Sequence, residues 1–158
     1  MHLYLLRHGD AVAAAPDDAR RALSPLGEGQ ARTAGAFLNR FGIVPELILT
    51  SPRVRAEQTA RLAAGELRSG GRFLTSEHLT PTSDPRNLLR ELETLAAGTV
   101  LCVGHEPHLS TTISLLIAGS RNARVVMEKA CLAAIQVEPP FAPGSGVLRW
   151  MLPPGRMR

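Results

Sequence analysis

Short apolar segments alternate with longer amphipathic segments along most of this chain, and that alternation limits the possible folds. The apolar segments are Met1–Leu6, Leu47–Thr50, Phe73–Ser76 and Thr99–Val103, each of a length that suits a buried strand. Between them, apolar residues recur with the period of a helix, which the strands of an all-β protein would not show. Because parallel strands are joined by crossover helices, the sequence predicts a mostly parallel sheet that is covered on both faces.

Four helices are predicted in this pattern, and two of them carry clear N-terminal signals. Ser24 precedes Pro25, and Asp84 precedes Pro85, so that a capping side chain is followed by proline at the first helical position. The predicted helices cover residues 27–41, 51–67, 85–97 and 109–118.

Two further segments predict the edge of the sheet. Ala130–Val137 and Val147–Leu152 are strand-like and are joined by a turn rich in proline and glycine, which is typical of antiparallel neighbours. The expected fold class is therefore α/β, a three-layer α/β/α sandwich with a mostly parallel central sheet and an antiparallel edge strand. No repeat or linker divides residues 1–158, which predicts a single domain.

Polar and basic residues follow three of the predicted strands. Arg7 and His8 follow the first, Ser51–Arg55 follows the second, and Gly104 and His105 follow the fourth. Because ligands of such sheets bind beyond the carboxyl ends of the strands, we expect two arginines and two histidines around one pocket.

Two guanidinium groups and two imidazoles suit an anion whose charge distribution changes during a reaction. Arginine binds tetrahedral oxyanions through several donors, and a histidine nitrogen can attack phosphorus to form a covalent intermediate. Phosphoryl transfer depends largely on positioning and electrostatic stabilisation, which arginines supply without a metal. The pocket therefore predicts phosphoryl chemistry with no cofactor.

Composition narrows the function classes further. Lys129 is the one lysine among 18 basic residues and no P-loop motif is present, which excludes a P-loop nucleotide hydrolase. The arginines are dispersed and aromatic residues make up only 4%, which argues against nucleic-acid binding. Cys102 and Cys131 lack metal-site spacing, and neither a signal segment nor an apolar run of about 18 residues is present. We expect a cytoplasmic protein with no membrane partner.

Three motifs, in order along the chain, resemble those of one known family. They are Arg-His-Gly at 7–9, Ser-Pro-Arg-Val-Arg-Ala-Glu-Gln-Thr-Ala at 51–60 and Val-Gly-His-Glu-Pro at 103–107. Together they resemble the signatures of the histidine phosphatase superfamily, which has the phosphoglycerate-mutase-like fold. The short chain, the segment 23–27 and the tail 150–154 are similar to its SixA-type phosphohistidine phosphatase branch.

The resemblance implies a role for each matching residue. His8 would be the nucleophile, Arg7 and Arg55 would bind the phosphoryl oxygens, and His105 would stabilise the group in transfer. Arg21 aligns with a basic position of the SixA-type branch and would be an auxiliary anion contact. The implied activity is dephosphorylation of phosphohistidine on a signalling or phosphotransfer protein. The alternatives are a phosphomonoesterase acting on a small phosphorylated metabolite and a non-catalytic phosphoprotein-binding module.

One position departs from the family pattern. Larger members carry an acid after the third strand, two residues beyond a leucine, where this chain has Leu-Thr-Pro at 79–81. Glu77, His78 and Asp84 are close in sequence but out of register, so whether one of them is a general acid stays open. An alkoxide leaving group benefits from an acid and an imidazole needs much less help, so the sequence favours an N–P substrate.

Two other interpretations concern residues beside the motifs. His8, His105 and His108 could be ligands of a metal, but a helix start would place His108 in a first turn, and no metal is expected. Arg53 lies two residues before Arg55 and is expected at the surface or rim.

Overall fold

A six-stranded sheet forms the centre of the molecule, which is described by a computed structural model over residues 1–68 and 70–158. Its strands are β1 (His2–Arg7), β2 (Leu47–Thr50), β3 (Arg72–Thr75), β4 (Thr99–Gly104), β5 (Leu132–Val137) and β6 (Gly146–Leu152). Their order across the sheet is β3-β2-β4-β1-β5-β6. The first four strands in this order are parallel, and β5 is antiparallel to both of its neighbours. The predicted mostly parallel sheet with an antiparallel edge is confirmed.

Four helices cover the two faces of this sheet. They are α1 (Pro25–Arg40), α2 (Val54–Gly65), α3 (Pro85–Thr94) and α4 (His108–Ala118). Successive side chains of a strand point to opposite faces, so Leu3 and Leu5 of β1 pack with α3 and α4, while Leu6 packs with α1 and α2. The predicted three-layer α/β/α sandwich is therefore confirmed. In the part of the chain that the structure describes, no helix has the length and apolar character needed to cross a bilayer.

Both helix starts that were predicted from capping signals are confirmed. The Ser24 hydroxyl accepts a hydrogen bond from the Gly27 amide, and the Asp84 carboxylate accepts one from the Arg86 amide. Each cap is followed by proline in the first turn, where a missing N–H costs nothing. These two caps determine the residues at which α1 and α3 begin.

The start of α2 differs from the prediction. The helix begins at Val54 and not at Ser51, because the Ser51 hydroxyl accepts a hydrogen bond from the Arg53 amide and turns the chain before the helix starts. Helices α2 and α3 end at Gly65 and Thr94, before the predicted ends at 67 and 97. Ser51 therefore lies in the turn between β2 and α2 and not in a helix.

Helices α1 and α2 approach each other closely through a glycine. A Cβ atom added to Gly35 of α1 would lie 2.1 Å from the Ala63 carbonyl oxygen of α2, far inside van der Waals contact. The obstacle is backbone and not a flexible side chain, so the helices would have to separate to admit it. This contact sets the position of α2 over the sheet.

We predict that Gly35→Ala lowers the free energy of unfolding by about 1–3 kcal/mol, as overpacking of a tight contact typically does. The matched control is Gly29→Ala on the same helix, because Gly29 is exposed and no atom lies within 4 Å of its added Cβ. That substitution should raise stability by about 0.5–1 kcal/mol through helix propensity. Urea denaturation of both variants measures the difference, and equal stability of the two would contradict the packing argument.

Candidate active site

Three adjacent parallel strands bring their carboxyl ends to one edge of the sheet. Backbone pairing continues past the strand ends, since the His8 amide donates to the Gly104 carbonyl and the Ser51 amide to the Val103 carbonyl, both at 3.0 Å. These bonds hold the chain segments after β1, β2 and β4 together. His8, Ser51 and His105 are thereby placed side by side, as the sequence predicted for the strand ends.

The imidazoles of His8 and His105 face each other in a buried site. Their ring centroids are 5.0 Å apart, and the residues are 7% and 1% exposed. His105 Nε2 lies 2.8 Å from the hydroxyl oxygen of Ser51, which holds the ring in place. Burial lowers the pKa of His105 to about 2, and the neighbouring His8 and Arg55 add to this effect. His105 is therefore neutral at physiological pH.

Two hydrogen bonds determine the tautomer of His8. Its Nδ1 lies 2.7 Å from the Gly9 carbonyl oxygen, which can only accept, so Nδ1 carries the proton. Arg55 Nε donates to His8 Nε2 at 3.2 Å, which requires a lone pair on Nε2. Burial lowers the pKa of His8 to about 4, the charges of Arg55 and Arg7 add to this effect, and the bond to Gly9 opposes it. His8 is a neutral imidazole with a nucleophilic nitrogen at Nε2.

The two predicted phosphate-binding arginines both lie close enough to His8 for their charges to act on it. Arg55 is in the first turn of α2, where its side chain is only 6% exposed. Arg7 ends β1 and donates from Nη1 to the Met127 carbonyl at 2.7 Å. Arginine keeps its charge even when buried, so both supply positive potential beside His8.

Several buried polar atoms at the site have no hydrogen-bond partner. Within residues 1–68 and 70–158, such side-chain atoms are Arg7 Nε, His105 Nδ1 and both ring nitrogens of His108. A buried donor without a partner costs free energy, so such atoms are few in folded proteins and are commonly explained by a ligand. Arg7 Nε and His105 Nδ1 are both able to bind an oxyanion beside His8.

Gly9 is needed for a reason that the sequence does not reveal. An added Cβ at this position would lie 2.5 Å from the Gly27 carbonyl oxygen, so the missing side chain leaves room for the backbone of α1. Gly27 in turn has no room for a side chain, since its Cβ would lie 1.9 Å from the Asp10 carbonyl oxygen. The two glycines let the start of α1 pack directly on the loop that follows β1.

One face of α2 anchors the same loop. Thr59 accepts a hydrogen bond from the Gly9 amide at 3.1 Å and donates to the Arg55 carbonyl at 2.7 Å. Gln58 accepts from the Leu23 amide at 2.7 Å. Residues three and four positions apart on a helix share a face, which explains why the second motif needs Gln-Thr after its arginine. The sequence motif contained these residues, but their structural role could not be read from it.

An acidic residue that the sequence analysis missed lies against the arginines. Arg55 donates from Nη1 to the Asp18 backbone carbonyl at 2.7 Å and from Nη2 to the Asp18 carboxylate at 3.1 Å. Arg53 pairs with the same carboxylate, and Arg21 donates to it at 3.0 Å. Asp18 sits in a 3₁₀ turn in the connection between β1 and α1. Arg21, an expected anion contact, also donates from Nε to the Val12 carbonyl.

A second carboxylate lies at the mouth of the site. Lys129 Nζ is 2.5 Å from Asp10 Oδ1, and the Ser24 hydroxyl donates to Asp10 Oδ2 at 2.6 Å. The hydrogen bond from Lys129, with that from Ser24, lowers the pKa of Asp10 below its usual range. Asp10 is therefore an ionised bridge between the loop after β1, the start of α1 and the segment that carries Lys129.

The three residues considered as general acids lie in and after a 3₁₀ turn beyond β3. Glu77 and His78 form part of that turn, and Glu77 is exposed. Asp84 caps α3 and pairs with Arg121 at 2.8 Å. Its hydrogen bond from the Arg86 amide, together with Arg121, lowers its pKa. Asp84 thus has a structural role at the start of α3.

The metal alternative finds no support in the side-chain arrangement. Across the described ranges, no group of three or more His, Cys, Asp or Glu residues is placed to hold a metal ion. His108 lies in the first turn of α4, as the helix interpretation predicted, and burial lowers its pKa to about 4. His8 and His105 form a pair that does not include it.

Comparison with known proteins agrees with this site. The model of the histidine phosphatase superfamily (branch 1) matches residues 3–79. A phosphohistidine phosphatase SixA homolog of Haemophilus influenzae is 31% identical over 77% of this chain and 80% of that protein. The phosphohistidine phosphatase SixA of Escherichia coli is 25% identical over 100% of this chain and 97% of that protein. A solved structure of the protein histidine phosphatase SixA complexed with tungstate superimposes with a TM-score of 0.91 at 24% identity, covering 100% of both chains. The chain is therefore a phosphatase of the histidine phosphatase superfamily, in its SixA-type branch.

Proposed function

We propose that this phosphatase removes phosphoryl groups from phosphohistidine on a signalling or phosphotransfer protein in the cytoplasm, with residues 1–158 acting as one domain. The observation that carries the proposal is the neutral His8 imidazole, whose Nε2 lone pair accepts a hydrogen bond from Arg55 and whose ring lies beside that of His105. A nucleophile held in this state can accept a phosphoryl group at neutral pH.

In the first step, His8 Nε2 attacks phosphorus and a new N–P bond forms. The N–P bond of the substrate, whose ring carries a proton on its other nitrogen, breaks, and the electron pair stays on the departing nitrogen, so that the leaving group is a neutral imidazole. Phosphorylation gives the His8 ring a positive charge, which the Nδ1–H bond to the Gly9 carbonyl stabilises. The reacting bond and the new bond are both N–P bonds to an imidazole, so the transfer is close to balanced in energy.

In the second step, water attacks phosphorus and the bond to His8 Nε2 breaks. The electron pair returns to Nε2, both protons of the water stay with the phosphate product as dihydrogen phosphate, and His8 is regenerated as the neutral imidazole with its proton on Nδ1. Charge on the transferring group is spread over its oxygens in both steps. Arg7, Arg55 and the free Nδ1 of His105 stabilise that charge, and no metal is required.

The state of the neighbouring carboxylates favours an N–P substrate. Asp10 directly follows the Arg-His-Gly motif and Asp18 contacts Arg55. Hydrogen bonds, first from Lys129 and from Arg21 respectively, lower the pKa of each carboxylate. An ionised carboxylate cannot protonate an alkoxide leaving group, whereas a departing imidazole is a neutral base that needs no such proton. The SixA relatives of Escherichia coli and Haemophilus influenzae are named as phosphohistidine phosphatases, which supports the same substrate class.

We predict that His8→Ala lowers turnover of a phosphohistidine protein by at least about 10³-fold, because the nucleophile is removed. His2→Ala is the matched control, since His2 is exposed on the same strand, and it should keep wild-type turnover. Stopped reactions with labelled substrate should show a phosphorylated wild-type protein and none for His8→Ala. Normal turnover by His8→Ala would refute the mechanism, and a wild-type protein that binds phosphohistidine without turnover would be a binding module.

We predict a definite order of reactivity among substrates. The ratio kcat/KM should be highest for a phosphohistidine protein, lower for an activated aryl phosphate and lowest for alkyl or sugar phosphates. The value of kcat/KM for alkyl or sugar phosphates should be roughly 100-fold below that for the aryl phosphate, since general-acid assistance to a poor leaving group is worth about that much. Steady-state kinetics on the same enzyme preparation measures the order. Comparable or faster turnover of a sugar phosphate would support the phosphomonoesterase alternative instead.

We predict that the fold loses stability as the pH falls below about 6.5. His8 and His108 have pKa values of about 4 in the folded protein, and that of His105 is about 2, whereas in the unfolded chain each titrates near 6.5. Below pH 6.5 the unfolded state therefore binds more protons than the folded state. The free energy of unfolding decreases as the pH is lowered through this range, and the contribution of the neutral histidines is complete only above pH 6.5. Urea midpoints at pH 7.5, 6.0 and 5.0 should decrease in that order. A constant midpoint would show that these histidines are not buried as neutral groups.

A further inference from the structure

The Asp18 carboxylate occupies a site of the kind that a phosphate would use. Three guanidinium groups, those of Arg21, Arg53 and Arg55, bind this one side chain. Arginine guanidinium groups are common protein ligands of phosphate oxygens, so this cluster is chemically suited to bind an anion from outside the protein. Here an internal carboxylate takes that place.

Arg55 is shared between Asp18 and the nucleophile. Its Nε donates to His8 Nε2 at 3.2 Å, while Nη1 and Nη2 donate to the Asp18 backbone carbonyl and carboxylate at 2.7 and 3.1 Å. A phosphoryl group bonded to His8 Nε2 would need donors from the same guanidinium. An anion at His8 and the Asp18 carboxylate therefore compete for the same N–H groups of Arg55.

The position of the Asp18 side chain allows it to give up its hydrogen bonds from Arg55. It is 53% exposed, although the Arg55 side chain that it contacts is 6% exposed. It belongs to a three-residue 3₁₀ turn, Asp18–Arg20, none of whose residues is buried. Its pKa lies below the usual range, first because of the hydrogen bond from Arg21, so the negative charge is present at neutral pH.

We propose that Asp18 is a specificity-determining residue whose carboxylate competes with small free anions, inorganic phosphate above all, for Arg55. The inference rests on the proposed function, because it takes Arg55 as a ligand of the phosphoryl group. A free phosphate ion brings no contact that would offset the repulsion by Asp18, whereas a larger phosphorylated substrate brings contacts outside the phosphoryl site. Asp18 thereby keeps the affinity for the reaction product low and favours its release.

The test compares two aspartates that are adjacent in sequence. Asp18→Asn removes the competing charge, and Asp17→Asn changes the net charge by the same amount. Asp17 pairs with the exposed Arg20 and caps the 3₁₀ turn, a role that asparagine also fills well. Binding of inorganic phosphate is measured by isothermal titration calorimetry at fixed ionic strength. We expect Asp18→Asn to bind phosphate about tenfold more tightly, the effect of removing a nearby but partly screened charge, and Asp17→Asn to bind as wild type does.

The measurement does not depend on turnover, so it can succeed or fail independently of the substrate prediction. Asp18→Ser, which also removes the charge and keeps a polar side chain suited to a turn, must shift phosphate affinity in the same direction. Inhibition of turnover by added phosphate should increase in both variants. Unchanged or weaker phosphate binding in the Asp18 variants would overturn the inference. A fall in kcat with no gain in phosphate affinity would also overturn it, since Asp18 would then only position Arg55.

Discussion

The backbone hydrogen bond from the His8 amide to the Gly104 carbonyl is the contact on which the rest of the site depends. It extends the parallel pairing of β1 and β4 by one step beyond the strands, so that the residues after each strand remain neighbours. His105 follows Gly104 directly, and its ring therefore lies 5.0 Å from that of His8. Two residues nearly a hundred positions apart in sequence become one site through sheet register. The arginines, Ser51 and Asp18 are all arranged around this pair.

Much of this arrangement could be predicted from the sequence, because strands, helix caps and strand ends leave local signals. Asp18 could not be predicted in this way. It lies in an irregular segment with no periodicity, and its role comes from a chain path that brings it to Arg55, 37 residues later. The need for Gly9 was likewise hidden, since the atom that excludes a side chain there belongs to Gly27. The start of α2 was misplaced because the Ser51 side chain hydrogen-bonds within the turn before the helix. The first two features depend on tertiary contacts, which residue type and spacing do not encode. The third is a local hydrogen bond that a serine can make in a turn as readily as at a helix start.

Burial and positive charge act in the same direction on His8. Both disfavour a second proton on the ring, which keeps Nε2 free as a nucleophile at neutral pH. In the mechanism that we propose, the arginines that contribute to this effect, Arg7 and Arg55, also stabilise the phosphoryl group at Nε2. The same charges would then prepare the nucleophile and bind the group that it attacks. The buried, neutral histidines make the fold sensitive to acid, so the same feature connects reactivity to stability.

The distribution of charge pairs explains why the net charge of the chain, +4, says little about function. Lys129 at the mouth of the site is paired with Asp10, and Arg55, which is buried beside His8, is paired with the exposed Asp18. Arg7 instead donates to the Met127 carbonyl, which carries no formal charge, so its positive charge is not neutralised by a carboxylate there. Of these three cations, Arg7 is the one whose charge has no carboxylate partner among the described residues. An anion at the site therefore finds its least compensated positive charge in the residue that directly precedes His8.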